Sequence, residues 1–250
     1  MDVKKLSEKG NAVQLMVKGV DAAFMNGLRR TIMNAVPTFA IENVRVYENS
    51  SVMFDEMLAH RLAMLPLKTD LKHYKVGEKV VMMLEKEGPV TVYSKDIQST
   101  DPKIEVVDKH VPLLKLVKGQ KVKMEMDAVL GVGKEHSKWQ PATVGYSQLA
   151  KVSFDMKKID DPEKLMEAAP EQFELKAGKL TIKDSSNINL DLVSKARDLA
   201  PGAVAMEYDD NAYLLNLESF GGLEAREILE AAVESLSGRA KEFKKLVKEL

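Results

Sequence analysis

The chain has 250 residues and a formal charge of −1, with 45% hydrophobic and 30% charged residues, a balance suited to a soluble protein with a real core. That charge excludes a global basic field for nucleic acid, so no direct nucleic-acid contact is expected, and no apolar run approaches the ~20 residues of a membrane span. The absence of Cys excludes disulfides, thiolate nucleophiles and cysteine-held clusters, and the first residues lack the apolar run of a signal peptide, so a cytoplasmic chain is expected.

Val13 to Val17 reads as a short strand, followed by Asp21, a residue type suited to capping a helix start. Phe24, Leu28 and Ile32 then recur every four positions, with Met25, Ala35 and Val36 alongside, and draw an apolar stripe down a helix that Pro37 ends. Arg29 and Arg30 stand beside the stripe as fixed positive charges with planar donors. Two readings fit: a core helix with solvated arginines, or a helix that packs on a partner while holding a second surface. Ile41 to Tyr47 alternates like a strand. Asp55 to Leu65 has a helical pattern with Met57, Leu58, Leu62 and Leu65 on one side, and stops at Pro66. His60, isolated within it, reads as a hydrogen-bonded structural residue.

From Val80 the pattern turns to strands: Val80–Leu84, Val90–Tyr93 and Lys121–Met126, the last with a wet and a dry face. Gly131 to Pro141 contains Gly-x-Gly-Lys, but it fails as a phosphate loop. The earlier Gly is missing, and Glu135 stands where Ser or Thr should hold magnesium. What remains is a Gly-permitted turn anchored by Trp139, the only Trp, or a loop presented to a partner.

A further unit spans about residues 159–203. Asp161-Pro162 signals a helix start, and Phe173–Leu175 with Lys179–Ile182 forms a hairpin. Leu190, Val193, Ala196 and Ala200, followed by Pro201, keep the spacing of a bacterial-type ferredoxin's Cys-x-x-Cys-x-x-Cys-x-x-x-Cys-Pro, with apolar side chains in place of the thiolates. The same spacing also describes an amphipathic helix. Without ligands no iron–sulfur cluster, and no other cofactor, is expected. Ala212 to Leu217 is a strand, with Asp209-Asp210 expected in a hairpin turn before it. A long helix closes the chain. Its apolar face includes Ile228, Leu229, Leu236 and Phe243, and from Leu236 the spacing becomes coiled-coil-like. One small domain rarely covers so long a helix, so this helix and the Phe24 helix are the natural pair for dimerisation.

No active site emerges. His60, His73, His110 and His136 are scattered without metal-ligand spacing, and there is no Gly-x-Ser-x-Gly elbow.

The blocks Asn26-x-Leu28-Arg29-Arg30, Val36-Pro37-x-x-Ala40-Ile41, His60-Arg61-Leu62-x-x-Leu65-Pro66-Leu67, Gly131-x-Gly133-x-x-His136-x-Lys138-Trp139-x-Pro141 and Glu218-Ser219-x-Gly221 occur in this order. Together they make the chain resemble, over nearly all its length, the alpha-type assembly subunits of cellular RNA polymerases, in the archaeal D-type branch. The resemblance implies an α+β fold in three parts. These are a dimerisation domain from residues 1–45 and 204–250 with the Leu149–Asp155 strand, a β-rich insert over 46–148, and a ferredoxin-like module without ligands over 159–203. It implies a structural, non-catalytic role in transcription. The chain would pair with the small alpha-like subunit L, receive the small subunits N and P, and carry the second-largest polymerase subunit. Phe24, Leu28 and Ile32 match the family's dimer helix, and Arg30 matches a position associated with the large subunit. The competing readings are a ferredoxin-like redox protein, a phosphate-binding enzyme at Gly131–Lys134, or a stand-alone interaction protein.

Overall fold

The fold was obtained as a computed structural model that describes residues 1–159, 161–176, 179–183 and 188–249, with the backbone alone at Leu190. In chain order the elements are β1 (Asp2–Lys9), β2 (Ala12–Lys18), α1 (Ala22–Ala35), β3 (Pro37–Asn49), α2 (Asp55–Ala63), β4 (Lys79–Glu87), β5 (Val90–Tyr93) and β6 (Gln98–Ser99). They continue with β7 (Pro112–Leu116), β8 (Lys121–Val132), β9 (Ala142–Phe154), α3 (Pro162–Ala168), β10 (Phe173–Lys176), β11 (Lys179–Ile182), α4 (Leu190–Leu199), β12 (Val204–Ser219) and α5 (Ala225–Lys248). The architecture is mixed α and β, with mostly antiparallel sheets.

The chain divides into two compact units. One comprises Met1–Glu8, Gln14–Met25 and Gly145–Asn216; the other comprises Lys9–Val13, Asn26–Val144 and Leu217–Leu250. The 159–203 segment thus falls in the same unit as most of β9 and β12.

In the first unit the sheet order is β1-β2-β12-β9. Between β9 and β12 the chain inserts α3, the β10–β11 hairpin and α4. Asp161 caps α3 by accepting from the Glu163 and Lys164 N–H groups, Pro162 stands at its first turn, and Asn189 caps α4 in the same way. Phe173, Leu165, Leu180, Val193 and Ala196 form a dry centre here, and Phe154 packs edge-to-face on Phe173 with ring centroids 5.2 Å apart. Asp209 and Asp210, expected in a turn, lie inside β12. There Asp209 pairs with Lys151 at 2.8 Å and Asp210 accepts from the Gln148 amide at 3.1 Å, so cross-strand partners replace the turn.

In the second unit the sheet order is β3-β8-β4-β6, with β5 and β7 paired separately. Val80, Met82 and Leu84 of β4 and Met124, Met126 and Ala128 of β8 point to one core with Leu58, Leu62 and Leu65 beneath them. Met57, expected on that side of α2, is exposed. Bulges interrupt β3 between Ile41 and Asn43 and between Val46 and Glu48. On the outer sheet face Arg45 reaches Asp127 at 2.9 Å and also pairs with Glu125.

Candidate assembly interface

Helix α1 buries Met25, Leu28, Thr31 and Ile32, and Val36 just past its end is also buried, while Phe24 remains 40% exposed. The apolar stripe therefore lies one position round from the Phe24–Leu28–Ile32 line. A repeat of four drifts by about 40° per step against 3.6 residues per turn, so the line's first member reaches the margin of the buried face. Leu28 and Ile32 are covered by their own chain, so neither is a free contact for another subunit. Arg30 is exposed, and Arg29 is half-buried, with Nη2 donating to Asn26 Oδ1 at 3.0 Å.

The last turn of α1 meets the Gly131–Pro141 loop. Lys134 N–H donates to Asn34 O at 3.0 Å, and a Cβ at Gly133 would lie 2.0 Å from Met33 O, so only glycine permits this approach. Trp139 is buried with Nε1 donating to Val129 O at 3.0 Å, and its ring covers Gly131, where a Cβ would fall 2.5 Å from the indole. Thr38 Oγ1 donates to Trp139 O at 2.7 Å. Lys138 Nζ lies 4.5 Å from the indole centroid, donates to Ile41 O at 3.0 Å and pairs with Glu42, so its charge is engaged within the chain.

The Leu65–Leu67 and Ser219–Gly222 segments close on the same place. Phe220 N–H donates to Pro141 O at 3.0 Å, and Thr69 N–H donates to Gly222 O at 2.9 Å. Between them opens a mainly apolar pocket of about 270 Å³ lined by Phe39, Met64, Pro66, Pro141 and Phe220 among others. Met64 and Phe220 stay about half exposed at its rim. Sequence reasoning named the three flanking blocks but missed the pocket. The signal was the Pro or Gly in each block, which ends an element or permits close backbone approach.

Helix α5 is held at its start. Glu224 and Glu227 cap it reciprocally, and Ile228 and Ala232 are buried. Leu229 and Leu236 are half-buried. Beyond them Phe243 is 69% exposed, with Leu246 and Val247 about half exposed.

The titrating groups here serve charge networks. Glu105 accepts from Lys68 at 2.7 Å and pairs with Lys109 at 2.9 Å, and these two cations hold its carboxyl down at about 2. Burial pushes Asp70 up, but hydrogen bonds from His73, the Lys72 N–H and Lys103 outweigh it and bring it to about 2. His73 is engaged by Asp70 at 2.7 Å, and His136 accepts from Lys138 N–H at 3.1 Å. Among the described residues no three His, Asp or Glu side chains are grouped to hold a metal ion, and no helix is long and apolar enough to cross a membrane.

Of the four positions with ferredoxin-like spacing, Val193 and Ala196 are buried and Ala200 is half-buried against the same core, while the side chain of Leu190 lies outside the described residues. Val193 and Ala196 share the buried face of α4, and Ala200 stands at its C-terminal end.

Residues 44–146 match the family described as the RNA polymerase Rpb3/RpoA insert domain. Over 96% of its length the chain is 34% identical to DNA-directed RNA polymerase subunit Rpo3 of Pyrococcus horikoshii, covering 95% of that protein. The chain belongs to the Rpo3 family. Similarity to the Rpo3 of Halobacterium salinarum is 37% identity over 98% of the chain and 97% of the relative, and to that of Methanosarcina acetivorans 31% over 100% and 98%. Membership in the Rpo3 family accounts for the absence of catalytic spacing: the chain is a non-catalytic, alpha-like polymerase subunit. All but the last two residues of the matched insert domain lie in the second compact unit, and the domain contains the β4–β8 core.

Proposed function

We propose that the chain is the structural assembly subunit of an archaeal RNA polymerase, of the D type. It pairs with the small alpha-like subunit L, receives N and P, and presents a platform to the second-largest subunit in the cytoplasm. The observation that carries the pairing is the distal half of α5. A 24-residue helix buries only Ile228 and Ala232 fully, yet continues its apolar spacing through Leu236, Phe243 and Val247 into solvent. Such a face is stable in an assembly when a facing helix covers it. Phe24, at the open margin of α1, offers a second apolar contact, and Leu229 and Leu236 extend the α5 face. Arg29 and Arg30 supply charged donors for the next subunit, and the pocket rimmed by Met64 and Phe220 supplies an apolar socket.

Leu28 and Ile32 contribute by holding α1 in place. Leu28→Asp would therefore damage the chain itself, and Phe243→Asp is the sharper probe. Co-expressed with the small alpha-like subunit, wild type should elute as a heterodimer by size exclusion. Phe243→Asp should elute as separate, folded chains, because one charge desolvated in an interface costs several kcal/mol. A full-yield heterodimer from Phe243→Asp would refute the α5 assignment. Arg30→Ala should leave the pair intact but lower recovery of the assembled polymerase, with lysine a poor substitute for the planar fork.

The 159–203 segment reads as a ferredoxin-like module without ligands. Its support is the element order β9-α3-β10-β11-α4-β12, with the outer strands paired to each other and the inner two forming a hairpin. Val193 and Ala196 turn inward where that pattern would carry thiolates. Iron analysis of purified chain should return none in stoichiometric amount.

A further inference from the structure

Helix α5 changes character at Gly238. Before it, Glu224 and Glu227 cap the first turn and Ile228 and Ala232 are fully buried. Every residue from position 237 to position 249 is exposed. The distal part therefore has no core of its own chain to hold it, and it winds by local preference alone. That preference is weak. Ser235, Ser237 and Gly238 interrupt the better helix formers, and the space at the Gly238 Cβ position is open, so packing does not require a glycine there. Beyond Gly238, Lys241 with Lys245 and Lys244 with Lys248 set like charges four residues apart. Among the described residues that stretch holds one ion pair, Lys245 with Glu249 at 3.9 Å, and both side chains are exposed. Lys245 and Lys248 suit the negative end of the helix dipole, but that effect reaches only the last turn. An unsupported helix shorter than about 12 residues is marginal in water.

The apolar row of this segment exists only in the helix. Leu236, Ala240, Phe243 and Val247 repeat at 4, 3 and 4, so they share a face when α5 is wound and scatter when it is not. A partner that covers the row binds the wound form alone and shifts the population toward it. The charge around the row has one sign in excess: Arg239, Lys241, Lys244, Lys245 and Lys248 stand against Glu242 and Glu249.

We propose that Gly238 divides α5 into a preformed stem and a switch segment, residues 239–248, which winds fully only when a partner helix with an apolar face bordered by carboxylates lies along it. Resting on the α5 pairing proposed above, this makes pairing and helix formation one event. In the free chain the segment exchanges between the wound form and unwound ones, so the apolar row is presented briefly rather than held open to water. Gly238 sets the balance, because it lowers the wound population and the apparent affinity together.

The test is amide hydrogen exchange of the full chain, read by NMR, alone and with the co-expressed small alpha-like subunit. In the free chain the amides of 240–248 should exchange within about tenfold of an unstructured peptide, and those of 228–232 at least about a hundredfold more slowly. Pairing should slow 240–248 by at least about tenfold. Gly238→Ala should slow free-chain exchange at 240–248 about fivefold and tighten pairing by up to the same factor. Gly238→Pro, whose ring clashes with the preceding turn, should leave 228–232 protected and weaken pairing at least about tenfold. Free-chain protection at 240–248 equal to that at 228–232 overturns the switch and leaves the pairing standing. Fast free-chain exchange that the added subunit does not slow removes the α5 pairing and the switch with it. Unchanged exchange and affinity in Gly238→Ala overturns the proposal. Protection at 240–248 that grows with the concentration of this chain alone also overturns it, by making a second copy the cover.

Discussion

Gly133→Ala isolates the contact between the α1 terminus and the Gly131–Pro141 loop. The added Cβ would lie 2.0 Å from Met33 O and 3.1 Å from Met33 C, both backbone atoms of α1, with Gln140 Cγ at 3.0 Å on another side. No side-chain rotation relieves a clash with main chain, so the loop or the last helical turn must move by an ångström or more. That movement breaks the Lys134 N–H to Asn34 O hydrogen bond of 3.0 Å. Overpacking costs about 1–3 kcal/mol and a lost hydrogen bond about 1 more, giving a destabilisation of roughly 2–4 kcal/mol. For a chain of this size that corresponds to a fall in melting temperature of about 5–12 °C, readable by scanning calorimetry. Gly145→Ala is the control: nothing lies within 4 Å of its Cβ, so its melting temperature should hold or rise slightly. If Gly133→Ala melts within about 1 °C of wild type, the loop is not seated on α1 as described, and the reasoning from close approach fails.

Gly27 stands inside α1 with open space at its Cβ position, so Gly27→Ala should stabilise the isolated chain by about 1 kcal/mol in thermal denaturation; any accompanying loss of polymerase assembly would place this side of α1 against another subunit. Glu105 is held near 2, against its ordinary 4.5, by Lys68 and Lys109. The folded state thus binds fewer protons than the unfolded one, and the stabilisation is whole above about pH 4.5 and fades as pH falls toward 2. Glu105→Gln should therefore melt below wild type at pH 7, with the gap closing through that window; a constant gap would contradict the ion-pair origin. Val193→Asp places a carboxylate in the dry centre beside Phe173 and should cost roughly 2–5 kcal/mol locally. Limited proteolysis should then cut within 159–203 while the heterodimer holds; uncut protein would show that Val193 is not a core position.

Local order was legible where one short-range rule acts alone. Pro37 ends α1 and begins β3, Asp161-Pro162 starts α3, and the hairpin falls where its strand pattern places it. The alternating Val and Met of β4 and β8 marked their buried faces, because period two follows from the strand itself. The blocks shared with polymerase alpha-type subunits were equally legible, and they carried the functional reading. What local pattern could not decide was which apolar residues the chain covers itself. Phe24 and Leu28 look alike in sequence, yet one is open and the other closed; Phe243 continues the spacing of Ile228 but lies beyond the reach of its own core. Asp209 and Asp210 carry turn chemistry, and cross-strand partners on β9 hold them in a strand. The seating of Gly133 on Met33 O and the pocket at Pro66, Pro141 and Phe220 join residues far apart in the chain. Periodicity reports the preference of a segment for burial. Only the tertiary structure decides what buries it, and so which apolar surface is left for another chain.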